Sequence, residues 1–201
     1  MALSNPYPLS FLSSKLRIDS IVFTPRRNDE MSGSGDGRFW IAQLARPLWQ
    51  VEVSLSARTA AEAREIDAKM HALDGMGAFL FADPSYSPVD GNPGTAITVG
   101  SIGAARKQIG LSGLAGGFTP SAGDRLSIRS GGRTYFGSIA DGGSALVSIW
   151  PALPRWVVAG QAVEMVRPVI SVMVPPGGYA PFRVRPDFIG REASISMLQK
   201  V

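Results

Sequence analysis

Alternating apolar and polar positions in the first quarter of the chain predict β-strands. At residues 49–55 every second residue is apolar and the residues between are polar, which is the period of a strand with one buried face. Residues 39–45 predict the strand before it. Residues 17–23 predict an earlier strand, in which Ile21, Val22 and Phe23 suit cover on both faces and Thr24-Pro25 indicates the end.

A helical period replaces the strand period after residue 58. Thr59 and Glu62 have the spacing of a capping box, and strong helix formers follow them. Gly75 indicates the end of this helix, and residues 79–81 predict a short buried strand after it. Apolar residues three or four apart form one stripe that can lie on a sheet, namely Ala63, Ile66, Met70 and Leu73.

The middle of the chain differs from what precedes it. Residues 85–94 are rich in Ser, Pro, Asp, Asn and Gly, which indicates a boundary. Short β segments then recur, with Gly131-Gly132 and Gly142-Gly143 placed as tight hairpin turns. This pattern predicts a small antiparallel barrel or sandwich. The predicted strands lie at residues 96–99, 107–111, 125–129, 133–139, 145–150 and 162–165.

The last segment predicts a strand that needs a distant partner. In residues 193–199, Ile195 and Met197 alternate with Ser194 and Ser196, and the simplest partner is the sheet of the first 84 residues. The chain therefore reads as mainly β. A first domain at residues 1–95 and 169–201 is interrupted by a small β-barrel insertion at residues 96–168.

Residues 26–38 predict a flexible polar loop that could form a hairpin tip or an arm. The loop contains alternating Ser and Gly followed by Asp36-Gly37, which suits a segment that orders on contact with a neighbouring subunit. We predict that this arm makes assembly contacts. The residues assigned to those contacts are Arg26, Arg27, Ser32, Gly33, Gly35, Asp36 and Gly37.

Candidate catalytic chemistry is sparse. The chain has no cysteine, which excludes disulfides, thiolate nucleophiles and cysteine-ligated metals. His71, the one histidine, falls off the apolar stripe of the helix, and no nucleophile elbow accompanies it. Asp83 and Asp124 occupy positions where Asp commonly satisfies turn backbone. Asp90-Gly91-Asn92 lacks the later ligands of a calcium loop. We therefore expect no catalytic, cofactor or metal site.

Charge and aromatic residues leave two binding hypotheses open. The net charge is +4, but the cations are scattered without interleaved aromatics, so we expect no specific nucleic-acid binding, although a mildly positive channel lining for DNA stays possible. Trp150 and Trp156 are candidate contacts to glycans or to a partner protein, since strand aromatics are often core or interface anchors. With no long apolar run and no secretory pattern, we expect a soluble, unexported chain.

The order of several motifs resembles the distal tail proteins of long-tailed bacteriophages and related gene transfer agents. The first part carries Pro47-Leu48-Trp49-Gln50-Val51-Glu52-Val53, the helix at residues 60–73, Asp74-Gly75, and Phe79-Leu80-Phe81-Ala82-Asp83-Pro84. The middle carries Ala122-Gly123-Asp124-Arg125-Leu126-Ser127-Ile128, Arg133-Thr134-Tyr135 and residues 146–153. The end carries Phe182-Arg183-Val184 and Ala193-Ser194-Ile195-Ser196.

That resemblance implies a tail-tube-like β-sandwich belt domain with one flanking helix, and a β insertion. It implies a hexameric ring between the tail tube protein and the hub and fibre proteins, at the virion tail tip, assembled in the host bacterial cytoplasm. It carries no catalytic residue to this chain. Two alternatives remain open, a carbohydrate-binding tail module that contacts host surface glycans and another tail ring protein, either tube or terminator. A tail-associated hydrolase is disfavoured because no acid, base and nucleophile come together.

Overall fold

The structure is a computed structural model that describes residues 5–33, 35–56, 58–73, 77–143, 146–184 and 189–201. Curled antiparallel sheets and a half-barrel make the fold mainly β, and the described residues contain one α-helix. The predicted fold class is confirmed at this level. The helix is α1 (Ala60–Ala72), and the strands are β1 (Ile18–Gly33), β2 (Phe39–Leu55), β3 (Arg58–Thr59), β4 (Ala78–Ala82), β5 (Thr98–Ile102), β6 (Gln108–Ser112), β7 (Arg125–Ser130), β8 (Arg133–Asp141), β9 (Val147–Trp150), β10 (Val163–Glu164), β11 (Val169–Met173), β12 (Tyr179–Ala180), β13 (Arg183–Val184), β14 (Ile189–Arg191) and β15 (Ala193–Gln199).

The first sheet combines strands from both ends of the chain. Its order is β1-β2-β15-β11-β4, and β12 also pairs with β15. The closing strand β15 pairs antiparallel with β2, from Ala193 opposite Leu55 to Leu198 opposite Gln50. The alternation of residues 193–199 therefore finds the early partner that the sequence predicted. The apolar face of this sheet and helix α1 share one hydrophobic core.

The second sheet has the order β10-β7-β8-β9-β6-β5 and encloses a core of its own. Its two ends approach each other, because a bridge joins Thr98 to Ala162 and the backbone N–H of Val163 donates to the carbonyl of Ile97. The predicted turn at Gly131-Gly132 is confirmed between β7 and β8, and both glycines have positive φ angles of 55° and 77°. The right-handed twist of paired antiparallel strands gives such a sheet its curl.

Helix α1 forms where local sequence signals agree. The Thr59 hydroxyl accepts a hydrogen bond from the backbone N–H of Glu62, and the Glu62 carboxylate accepts one in return, so the predicted capping box is confirmed. The predicted apolar stripe is buried against the first sheet. Gly190 on β14 reaches the helix so closely that an added Cβ would lie 3.0 Å from that of Ala63. Asp74 and Gly75 lie outside the described residues.

Three strand predictions near the N-terminus are wrong. Strand β1 does not end at Thr24-Pro25 but continues to Gly33, and the strands predicted at residues 39–45 and 49–55 are one continuous β2 that crosses Pro47. The polar loop predicted at residues 26–38 is therefore strand as far as Gly33. Both prolines are tolerated because each strand has an open edge at that point, where a missing N–H removes no bond between strands. Val22 is 54% exposed, so β1 is not covered on both faces.

Candidate assembly surface

Strands β1 and β2 form a long hairpin whose outer part projects from the first sheet. They pair from Ile18 opposite Leu55 to Gly33 opposite Phe39. Strand β15 accompanies β2 only as far as Gln50, so residues 26–46, called the arm below, have no further strand beside them among the described residues. The arm is thus a two-stranded ribbon with two open hydrogen-bonding edges, a form that is marginally stable by itself in water.

Large apolar side chains stand exposed on both faces of the arm. Residues paired directly across the hairpin share a face, so Met31, Ile41 and Phe39 lie on one side. Trp40 lies on the other, opposite Ser32. These four side chains and Leu44 are between 65% and 68% exposed. Large exposed apolar patches of this kind commonly mark interaction surfaces in proteins.

The residues predicted as assembly contacts all lie on the arm, at its root or its tip. Arg26 and Arg27 are exposed at the root, where the β1–β2 register shifts and the Arg27 guanidinium contacts the Asp29 carboxylate at 2.8 Å. Ser32 and Gly33 end β1. Such irregularities bend and twist a ribbon, so the root sets the direction in which the arm projects.

The turn at the arm's tip contains the other three predicted contacts. Gly35, Asp36 and Gly37 are exposed, and Gly37 has a positive φ of 83°, which favours glycine. The Asp36 carboxylate accepts a hydrogen bond from the backbone N–H of Arg38 at 3.3 Å. Ser34 lies outside the described residues.

The residues predicted as assembly contacts are polar or glycine, whereas the arm also exposes large apolar side chains that were not predicted as contacts. The signal was present in residues 39–44, where Phe39, Trp40, Ile41 and Leu44 place apolar groups at adjacent positions of one strand. Such a run fits a strand buried on both faces. In this fold the strand pairs with β1 at that level, and the described residues leave these side chains of both faces exposed.

An aromatic cluster anchors the root of the arm to the second sheet. The ring of Phe23 stacks on that of Phe136 with centroids 5.6 Å apart, and Trp49 contacts Phe136 and Trp150 edge-on at 5.8 Å and 4.8 Å. The indole N–H of Trp49 also donates to the Phe136 carbonyl at 3.3 Å. Since Phe23 and Trp49 belong to the hairpin and the other two to β8 and β9, the arm projects from a fixed base.

Arg125 of β7 adds a cation–π contact and an ion pair at the junction between the arm root and the second sheet. Its guanidinium lies 4.2 Å from the ring centroid of Phe23 and donates to the Asp83 carboxylate at 2.7 Å. Burial opposes ionisation of Asp83, but hydrogen bonds from Ser85 and Arg125 outweigh it and lower the pKa of Asp83 below its usual range. Burial raises the pKa of Tyr86, whose hydroxyl bonds to the backbone of Arg125, to about 12.

The candidate catalytic residues have structural roles or lie apart. Asp83 accepts hydrogen bonds from the backbone and side chain of Ser85, and Asp124 accepts from the backbone N–H groups of Val89 and Ser121, so their predicted turn roles are confirmed. His71 is exposed on α1. In the described part of the chain no acidic and histidine side chains group as a metal site, and no helix is long and apolar enough to cross a membrane.

Trp150 and Trp156 line different cavities and do not meet in one site. Trp150, half-buried in the aromatic cluster, borders a cavity of about 640 Å³ beside the arm root, together with Arg27 and Leu44. Trp156 packs against the core of the second sheet and borders a cavity of about 580 Å³. A single glycan platform built from both indoles is therefore not formed.

A scan of the chain against protein-family models finds no match, and a search of curated proteins finds no significant match either.

Proposed function

We propose that this chain is a structural, non-enzymatic ring subunit at the distal end of a bacteriophage-type tail, joining the tail tube to the hub and fibre proteins. The observation that carries the proposal is the arm, which exposes apolar side chains on both faces and leaves both edges open. Exposed apolar side chains and open strand edges do not stabilise a single copy of the chain. They become useful when neighbouring subunits cover them.

The geometry of the arm fits a closed ring. One open edge belongs to β1 and the other to β2, so the two edges differ and suit a contact between unlike surfaces of successive subunits. A contact of that kind closes into a ring when its rotation divides a full turn. Closure also removes the exposed edges, which otherwise favour uncontrolled aggregation. The resemblance to distal tail proteins implies that this ring is a hexamer.

The wider architecture of the proposal is a β-sandwich belt domain with a β-barrel insertion. Two separate cores support it, as does a first sheet built from strands on both sides of the second sheet in sequence. The bridge between Thr98 and Ala162, which brings the ends of the second sheet together, supports the barrel. Residues 1–95 and 169–201 form the belt in this scheme, and residues 96–168 the insertion.

In this account the ring sits at the virion tail tip after assembly in the host bacterial cytoplasm, and DNA passes through it without specific recognition. The scattered cations fit a mildly positive lining. A tube or terminator ring would use a similar arm, so position along the tail is the property that separates these alternatives.

Deletion of residues 32–37 tests the assembly role of the arm. The deletion removes the tip while leaving the aromatic cluster at the root and both cores in place. We expect the variant to fold with unchanged near-ultraviolet circular dichroism but to fail to form rings or to complete tails. Rings and tails that assemble as in the wild type would contradict the proposal.

A further inference from the structure

A basic cavity lies where residues of the two sheets meet, away from the tip of the arm. It has a volume of about 580 Å³ and is bordered by Arg46 of β2, Ser171 of β11, and Arg133 and Thr134 of β8, with Trp156 beside them. Ligand pockets in proteins commonly have volumes of about 300–1,000 Å³, so a sugar-sized molecule fits. A smaller cavity shares Arg46, Thr134 and Trp156 with it.

The charged side chains that border this cavity are all basic. Arg46, Arg133 and Lys200 border it, and none of the described residues that border it is Asp or Glu. The field of Arg46 extends to the neighbouring Tyr135 hydroxyl, where it opposes the rise in pKa that burial causes. Basic side chains gathered around a concave site focus a positive potential, which attracts an anionic group. Arginine fits phosphate and carboxylate oxygens through paired hydrogen bonds.

Trp156 adds an apolar surface next to these cations. It packs on the core of the second sheet and borders the cavity as well, so its position is fixed before any ligand arrives. Pro154 and Pro6 extend the apolar lining, while Thr134 and Ser171 offer hydroxyl groups. An indole beside polar groups is suited to a ligand with one apolar ring face and hydrogen-bonding edges.

We propose that the basic cavity binds an anionic sugar, with its phosphate or carboxylate group held by Arg46 and Arg133 and its ring against Trp156. A bare anion would leave the indole unused. A nucleic-acid backbone would call for an extended basic groove with successive aromatics, whereas the cavity offers a single indole. The proposal does not depend on ring formation, because every group it uses belongs to one copy of the chain.

Titration of the full chain with four probes tests this inference. The probes are glucose 6-phosphate, glucuronate, glucose and inorganic phosphate, and binding is followed by calorimetry and by the indole N–H resonances in nuclear magnetic resonance spectra. We expect the two anionic sugars to bind at least about tenfold more tightly than glucose or inorganic phosphate, since only they use both parts of the site. The Trp156 indole resonance should shift on binding.

Substitutions then identify the residues. R133Q and R46Q should each weaken binding of glucose 6-phosphate by about tenfold or more, and the conservative W156F should weaken it less than W156A. R155Q, which changes an exposed cation outside the cavity lining, should bind as the wild type does.

Three results would overturn the inference. Inorganic phosphate binding as tightly as glucose 6-phosphate, with no effect of either Trp156 variant, would make the cavity a simple anion site. Binding of none of the probes would remove the site. Binding of a duplex DNA fragment that is lost in R46Q and R133Q, with no sugar binding, would make it a nucleic-acid surface. These readouts are independent of the oligomeric state, so a failure here and a failure of the ring proposal are distinguishable.

Discussion

Replacing Trp40 by serine separates assembly from folding more sharply than removing the whole tip. Trp40 is 67% exposed and lies on one face of the arm, opposite Ser32. An aromatic side chain carries about 200 Å² of surface, so a partner that covers the exposed part buries about 130 Å² at about 25 cal/mol per Å². Full cover therefore contributes about 3 kcal/mol to each contact between subunits.

A loss of up to about 3 kcal/mol corresponds to a change in association constant of up to about 100-fold. We expect W40S to raise the concentration at which rings form by about 10- to 100-fold, measured by sedimentation velocity and native mass spectrometry over a dilution series. The free energy of unfolding of the monomer in urea should change by no more than about 0.5 kcal/mol, as for other surface substitutions.

The matched control is V89S, which removes a 69% exposed apolar side chain outside the arm. It should leave both ring formation and unfolding unchanged. Equal ring formation by W40S, V89S and the wild type would show that Trp40 is not an assembly contact. A marked loss of monomer stability in W40S would also contradict the prediction, because it would mean that the side chain packs within its own subunit.

Three further predictions concern folding. R125M should lower the free energy of unfolding in urea by about 2–3 kcal/mol, because it leaves the buried carboxylate of Asp83 without its cation, whereas R183M breaks an exposed pair and should cost under about 0.5 kcal/mol. Equal losses in the two variants would contradict the junction described here. The pKa of Asp83 is lowered in the folded chain, so the stability that this carboxylate contributes is present above its unfolded pKa and is lost as pH falls through its folded pKa. The free energy of unfolding of the wild type should therefore decline below about pH 4 more steeply than that of D83N. Parallel declines in the two proteins would contradict this prediction. T59A should lower the free energy of unfolding by about 1 kcal/mol, because it removes the helix cap. Thermal unfolding would measure this against the control S54A, which changes an exposed strand residue. An unchanged melting temperature in T59A would show that the cap does not stabilise the fold.

Helix α1 was predictable because the information for it is local. The capping box at Thr59 and Glu62 and the apolar stripe lie within one segment, and every local signal agrees with the others. The β7–β8 hairpin of the second sheet was predictable for the same reason. Gly131 and Gly132 can both adopt the positive φ angles of a two-residue turn, and the residues on either side of them have the alternating pattern of strands.

The continuous strands of the arm were not predictable from the same rules. Pro25 and Pro47 indicate strand ends when a residue is read by itself, but a proline costs an edge strand little. Whether a strand lies at an edge depends on which distant segment pairs with it, here β15 with the inner part of β2. That information is spread over the whole chain, so the Gly-rich tip was visible in the sequence while the projecting apolar ribbon behind it was not.

The basic cavity was hidden for a related reason. Arg46, Arg133 and Lys200 are far apart in sequence and each looks like ordinary solvated surface. These residues come together beside Trp156 only where the two sheets meet in the folded chain. Trp156 itself was a candidate from the sequence, but its predicted companion Trp150 belongs to the aromatic cluster at the arm root.

A cryo-electron microscopy map of purified tails that contain this chain would show directly where the subunit lies. We predict a closed hexameric ring of this fold at the distal end of the tube, in which each arm lies against neighbouring subunits that cover Phe39, Trp40 and Ile41. Copies of the fold repeated along the shaft, or located only in fibres, would contradict the distal position. Arms that project into solvent without contact would contradict the mechanism of assembly itself.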